Sequence, residues 1–296
     1  MFLQKNKICL VEFTLSYPTP GSLTAYHEVI ESYFWGFSAL GYQVERRGNG
    51  TISDAINLIF GYHVPFQLGL IDKFSPDSIF LNFERMADEG LLNEVDRIIG
   101  QRFQIWEYSE ANMPIWGKLG TKYPVYFSQI SYAPILEKVP KNLPEDIDVL
   151  FYGSLSSARL SIIEKINKLK NDLTSISVVC LLGVYGAQRD EFIARSKIVI
   201  NVSSQINFEI VRVSYLLANR KAVVCVVDNE KLQIDKDLDN DCLKIVSPND
   251  VYAACEKLLV DDVYRNSYAE NCYNIFKKRN IMKVIENFFG ARNLEV

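Results

Sequence analysis

Histidine is nearly absent from this chain, with His27 and His63 the only two among 296 residues. The six cysteines, Cys9, Cys180, Cys225, Cys242, Cys255 and Cys272, contain no CxxC pair. A structural zinc site and a disulfide framework both need denser, closely spaced ligands, so neither is indicated. With Cys9, Cys180 and Cys225 inside apolar runs, all six are expected as buried thiols of a reducing compartment. No apolar run approaches the ~18 residues of a membrane span. The opening MFLQKNKICLVEF has a short apolar run that ends in Glu12 and lacks a small-residue cleavage site, so no signal peptide is expected and the expected location is cytoplasmic. Basic runs are also missing. The 32 Lys and Arg are scattered against 36 Asp and Glu, for a net charge of −4, which excludes a surface built to neutralise nucleic acid phosphates. No GxGxxG follows the first strand of either half, which counts against a dinucleotide enzyme.

What remains is an ordinary folded composition, 48% hydrophobic and 23% charged, in a chain long enough for two cores. Strand-like apolar runs fall at 8–15, 43–46, 57–60, 78–83, 103–106 and 125–127, between helical patterns at 26–40, 89–99 and 111–119. Three prolines, Pro134, Pro140 and Pro144, then mark a linker. Beyond it the alternation restarts, with strands at 148–152, 177–182, 197–202, 222–227 and 243–246 and helices at 158–170, 187–195 and 208–219. Three further helical patterns lie between 251 and 289. The expectation is an α/β protein of two doubly wound domains, 1–140 and 141–296, with a helical C-terminal tail. Ligands of such sheets bind at the carboxyl ends of strands, so a cleft between the domains is the expected place for chemistry.

Three strand ends in the second half carry small or polar residues: Gly153-Ser154-Leu155-Ser156-Ser157, Gly183-Val184-Tyr185-Gly186, and Ser203-Ser204-Gln205-Ile206-Asn207 before Phe208-Glu209-Ile210-Val211-Arg212. Each alone is also an ordinary turn or helix cap. Three on one edge of a sheet make an anion-binding surface, and Gly153, Ser154, Gly183, Tyr185, Asn207, Phe208, Glu209 and Arg212 are its candidate contacts. Glu209 and Arg212, three apart, share one side of a helix start. They form either a surface ion pair or a divided site, with the carboxylate on ribose hydroxyls and the guanidinium on a diphosphate.

In the first half, His63 follows the strand at 57–60 and is a candidate general base or phosphate-polarising group, the alternative being a loop histidine bonded to backbone. Glu84 is a candidate catalytic base and Glu107 its rival, both near strand ends, where a carboxylate is often only a cap. His27 reads as a helix-face residue. Of the acidic pairs, Asp146-Ile147-Asp148 precedes its strand and 235–241 reads as a solvated loop, so no metal is expected. The aromatics Tyr33, Phe34, Trp35 and Phe37 read as packing residues. Lys277, Lys278, Arg279 and Lys283 in the tail leave open a weak peripheral membrane association.

The runs Asp148-Val149-Leu150-Phe151-Tyr152-Gly153-Ser154-Leu155, Leu182-Gly183-Val184-Tyr185-Gly186 with Arg189-Asp190, Ala194-Arg195-Ser196-Lys197-Ile198-Val199-Ile200-Asn201, and 208–221 together resemble the C-terminal donor domain of bacterial GT-B glycosyltransferases. The resemblance covers 147–227, with fainter likeness at Phe60-Gly61-Tyr62-His63 and Trp106-Glu107-Tyr108-Ser109-Glu110-Ala111-Asn112. It implies two Rossmann-like domains and metal-independent transfer of a hexosyl group from a nucleoside-diphosphate sugar to a hydroxyl acceptor, a surface glycan or a small molecule. The nucleotide sugar is then a co-substrate and no separate cofactor is needed. Many retaining members carry two glutamates separated by seven residues on this helix. Here Leu217 stands eight positions after Glu209, so the stereochemistry stays open. The alternative function is a non-catalytic nucleotide- or glycan-binding protein on the same fold.

Overall fold

A computed structural model describes residues 6–13, 26–84, 86, 91–153, 157–172, 176–203, 210–227, 237–238 and 242–292. The chain divides into two compact units, Met1–Ala133 with Arg279–Val296, and Pro134–Lys278.

In the first unit, β1 (Lys7–Glu12), β2 (Gln43–Gly48), β3 (Ile56–Phe60), β4 (Ile79–Asn82), β5 (Gln104–Glu107) and β6 (Tyr126–Phe127) form a parallel sheet in the order β2-β1-β3-β4-β5-β6. Strands β3, β4 and β5 are buried throughout. Burial on both faces is why they read as unbroken apolar runs, whereas the edge strand β2, QVERRG, carries the charges that discourage further pairing. Helices α1 (His27–Ala39), α2 (His63–Gln67), α3 (Leu91–Gly100) and α4 (Met113–Leu119) connect the strands. Tyr33 and Phe37 of α1 are buried, as packing residues should be, while Phe34 is exposed.

In the second unit, β7 (Ile147–Tyr152), β8 (Val178–Leu181), β9 (Ser196–Ser203), β10 (Ala222–Val227) and β11 (Lys244–Val246) form a parallel sheet ordered β11-β10-β9-β7-β8. It carries α5 (Ser157–Asp172), α6 (Gly186–Arg195), α7 (Ile210–Ala218), α8 (Val251–Val260) and α9 (Asp262–Phe276). Its core joins Val149, Phe151, Ile198 and Ile200 of the sheet to Val251, Cys255 and Leu258 of α8. The proline-bearing segment opens this unit. Asn219 donates to the carbonyl of Leu136 and accepts from the amide of Val139, while Arg220 and Tyr273 both bond Glu137. Five of the six cysteines are buried, but Cys180 is exposed, correcting the expectation of six buried thiols. Strand β8 is an edge strand, and its burial is only partial.

The last helix, α10 (Ile281–Arg292), which the sequence reading grouped with residues 141–296, packs on the first unit. Phe288 lies edge-on to Trp106 at 4.7 Å, and Tyr126 Oη donates to the carbonyl of Val284 at 2.6 Å. Gly36 of α1 permits the contact: a Cβ there would stand 2.8 Å from Ile285 Cδ1 and 3.0 Å from Ile281 Cγ2.

Candidate functional site

Each sheet has one place where the strand order turns back, between β1 and β3 in the first unit and between β7 and β9 in the second. Connections leave in opposite directions there, opening a crevice outside the carboxyl ends of the two strands.

In the second unit the crevice is bounded by Gly153, directly after β7, and by Asn201 and Ser203 of β9. Arg212, on the first turn of α7, reaches back to this edge. Its Nη1 donates to Asn201 Oδ1 at 3.2 Å, and its guanidinium lies over the Tyr152 ring at 5.5 Å. Gly153 has φ +134°, and a Cβ there would stand 2.8 Å from Arg212 Nη2. Glycine is therefore required twice, by conformation and by space. A second guanidinium, Arg189 of α6, is buried between the rings of Tyr215 at 4.6 Å and Tyr152 at 5.9 Å, with Asp190 as its ion-pair partner at 2.8 Å. Tyr152 thus touches two arginines at one strand end. Beyond β8, Gly183 and Gly186 take left-handed φ of +66° and +59°, and Tyr185 between them is half exposed as the residue that caps α6. Helices α5, α6 and α7 all start on this edge, presenting backbone N–H groups.

The structure therefore brings together Gly153 and Arg212 and places Gly183 and Tyr185 at the neighbouring strand end. Ser154, Asn207, Phe208 and Glu209 lie outside the described residues. Arg189, Asn201 and Tyr152 were not singled out as site residues from sequence. The signal for Asn201 was present: a polar residue deep in the apolar run IVINVS. Asp146 pairs with Arg195 at 2.7 Å, and Asp148 pairs with Lys197 at 2.7 Å, so the first acidic pair is engaged at the amino end of β7.

In the first unit, Gly61 has φ +68°, and a Cβ there would stand 2.9 Å from the carbonyl oxygen of Phe13, so glycine allows the ends of β1 and β3 to approach. His63 opens the five-residue α2 and is no loop residue. Its ring stacks obliquely on Tyr62 at 4.3 Å, and both ring nitrogens are buried with no hydrogen-bond partner among the described residues. Burial holds its pKa below the ordinary imidazole value, outweighing the opposing pull of the nearby Glu84 charge. The imidazole is neutral at physiological pH.

Glu84 is exposed, and its backbone is clamped. Asn82 Oδ1 accepts its N–H at 3.0 Å, and the side-chain amides of Asn82 and Asn112 both donate to its carbonyl at 3.0 Å. The clamp rests on Glu107, which is fully buried. Glu107 Oε1 accepts from Ser109 N and Asn112 Nδ2, and Oε2 accepts from Asn82 Nδ2 and Trp116 Nε1, all within 3.0 Å. Burial pushes its pKa up to about 7 in spite of these donors. Each oxygen accepts two hydrogen bonds, so Glu107 anchors this clamp. Beneath it, Tyr62 Oη donates to Asp96 at 2.6 Å. His27 is engaged on the helix face by Glu31 at 3.3 Å and Arg46 at 3.0 Å.

No protein-family model matches the chain. Among curated proteins it is similar to uncharacterized protein L138 of Acanthamoeba polyphaga mimivirus, 29% identical over 163 residues, which cover 52% of this chain and 18% of the viral protein. It also resembles L137 of the same virus, 29% identical over 124 residues, 42% of this chain and 16% of that one. The matched segments span less than a fifth of these relatives. Among solved structures, Anabaena Alr3699/HepE in complex with UDP and glucose superposes with a TM-score of 0.62 at 10% identity, covering 96% of this chain and 99% of that one. AviGT4, a glycosyltransferase involved in avilamycin A biosynthesis, gives 0.56 at 15% identity with 96% of each chain covered. TarM gives 0.58 at 12%, covering 80% of this chain and 54% of TarM. At such identities the likeness is one of fold, and the fold of this chain is that of the GT-B glycosyltransferases.

Proposed function

We propose that the chain is a glycosyltransferase that binds a nucleoside-diphosphate sugar on its second unit and passes the hexosyl group to a hydroxyl of a glycan or small-molecule acceptor. The observation that carries this is Arg212, held at the switch point of the second sheet by Asn201, Tyr152 and the missing side chain of Gly153. A planar guanidinium suits phosphate oxygens through paired N–H bonds, and the N-termini of α5 and α7 add backbone donors on the same edge. Together they offset the negative charge that builds on the diphosphate as the sugar leaves, so this reading assigns the task to the protein and needs no metal. The half-exposed ring of Tyr185 offers a flat surface to the nucleotide. On the first unit, Glu84 is the exposed, rigidly mounted carboxylate that can take the proton of an acceptor hydroxyl, and the neutral His63 supports it.

HepE has been solved with UDP and glucose, so UDP is the natural probe. A structure of this chain with UDP is expected to show the diphosphate against Gly153 and Arg212 and the base near Gly183 and Tyr185. UDP lodged wholly in the first unit contradicts the reading.

A further inference from the structure

No sequence pattern marks Tyr26, yet it reaches the candidate base. It stands immediately before α1, and its hydroxyl donates to Glu84 Oε1, 58 residues away in sequence. Its ring rests on Phe83, centroids 5.6 Å apart, so the residue before Glu84 fixes the phenol in place. Phe83 in turn stacks on Phe60 at 5.7 Å, which ties the arrangement to the end of β3. Glu84 is therefore held from two sides. Asn82 and Asn112 fix its backbone, and Tyr26 fixes one oxygen of its carboxylate. Burial and the surrounding Glu84, Tyr108 and Glu12 push the Tyr26 phenol well above its ordinary value, so it stays a protonated donor across the working pH range. Glu12 is paired with Arg46, Arg46 bonds His27, and the Glu84 charge is felt by His63.

We infer that Tyr26 is the positioning residue of the hydroxyl-activating group: it bonds one oxygen of Glu84 and leaves the other to take the acceptor proton. This rests on the transferase reading above. In the step it serves, the acceptor O–H bond breaks and its proton passes to Glu84. The acceptor oxygen then bonds to the anomeric carbon, and the bond from that carbon to the diphosphate breaks with its electron pair leaving on the diphosphate. Losing the phenol's bond releases the carboxylate from that position.

The test is diphosphate release, from whichever of UDP-glucose, UDP-galactose, UDP-N-acetylglucosamine and GDP-mannose the wild type turns over, by wild type, Tyr26→Phe, Glu84→Gln and the double variant, with thermal melting to verify folding. Tyr26→Phe keeps the ring on Phe83 and removes only the hydroxyl. It is expected to lower kcat about tenfold with KM for that donor unchanged, the size of one lost charge-assisted bond. The double variant is expected to be no slower than Glu84→Gln alone, because Tyr26 acts only through Glu84. Should Tyr26→Phe fail to fold, Glu84→Asp withdraws the carboxylate from the phenol while keeping its charge, and the same loss of kcat at unchanged KM is expected. A wild-type rate in the variant, or losses that multiply in the double variant, overturn the role of Tyr26 alone. A wild type that releases diphosphate from none of the four donors, with or without a hydroxyl acceptor, overturns the transferase reading, and this inference with it.

Discussion

Replacing Arg212 with alanine separates a ligand-binding arginine from a surface one. The guanidinium is held by Asn201 at 3.2 Å and by the Tyr152 ring at 5.5 Å, and in the proposed function it faces the diphosphate. Losing a charge-assisted bond to phosphate costs about 1.5–3 kcal/mol of binding, a loss of roughly ten- to over a hundredfold in affinity. Stability should fall less. Asn201 is fully buried and its Oδ1 loses a donor, a cost of about 1–2 kcal/mol, so titrations belong well below the melting temperature. Arg212→Lys keeps the charge but offers a single ammonium to both Asn201 and the ligand, and an intermediate affinity is expected. If Arg212 serves only the fold, alanine carries the same stability cost and nothing in binding. Calorimetric titration with UDP decides between them, and unchanged affinity in Arg212→Ala refutes the argument.

Glu107→Gln removes the titration of the buried anchor. The folded pKa of Glu107 lies above the ordinary 4.5, so its contribution to stability is fully present below pH 4.5 and is lost as pH rises through about 7. The wild-type unfolding free energy minus that of Glu107→Gln should therefore fall by about 3 kcal/mol over this window; the similarly raised Asp96 is common to both and cancels, and a flat difference contradicts the assignment. EDTA should leave turnover unchanged, and activity lost to EDTA and restored by Mg²⁺ contradicts the assignment of the leaving-group charge to Arg212 and the helix N-termini. Gly36→Leu should drive α10 off α1, because even a Cβ stands within 3.0 Å of two isoleucine side chains; a melting temperature within a degree or two of wild type is the contrary result.

The strands were legible because parallel strands buried on both faces are apolar runs bounded by polar turns, as IFLN and AVVCVV illustrate. The same rule misled at Cys180, since the run VVCL belongs to an edge strand and sequence does not say which strand stands at the edge. Helix α10 was legible as a helix and its docking partner was not, because an amphipathic pattern names a face and not the surface that covers it. The short α2 escaped for another reason: five residues with a proline at the third give no periodicity to detect. Glycines at the switch points could be singled out by position, but Arg189 and Tyr26 act through neighbours far away in sequence. One signal was available and general. Asn82, Glu107 and Asn201 are polar residues at or near the carboxyl ends of buried apolar runs, where an unpartnered polar group is costly, and each proves to be hydrogen-bonded there, Asn82 to Glu84 and Glu107, and Asn201 to Arg212.

The most direct measurement is release of nucleoside diphosphate from UDP-glucose, UDP-galactose, UDP-N-acetylglucosamine and GDP-mannose by the purified chain, with Arg212→Ala alongside. A transferase with its donor on the second unit releases diphosphate from at least one of them, hydrolysing slowly without acceptor and faster with one, and Arg212→Ala lowers kcat/KM by roughly tenfold or more. A folded chain that binds UDP yet leaves all four donors intact, with and without hydroxyl acceptors, contradicts the enzyme and leaves a binding protein on a glycosyltransferase fold.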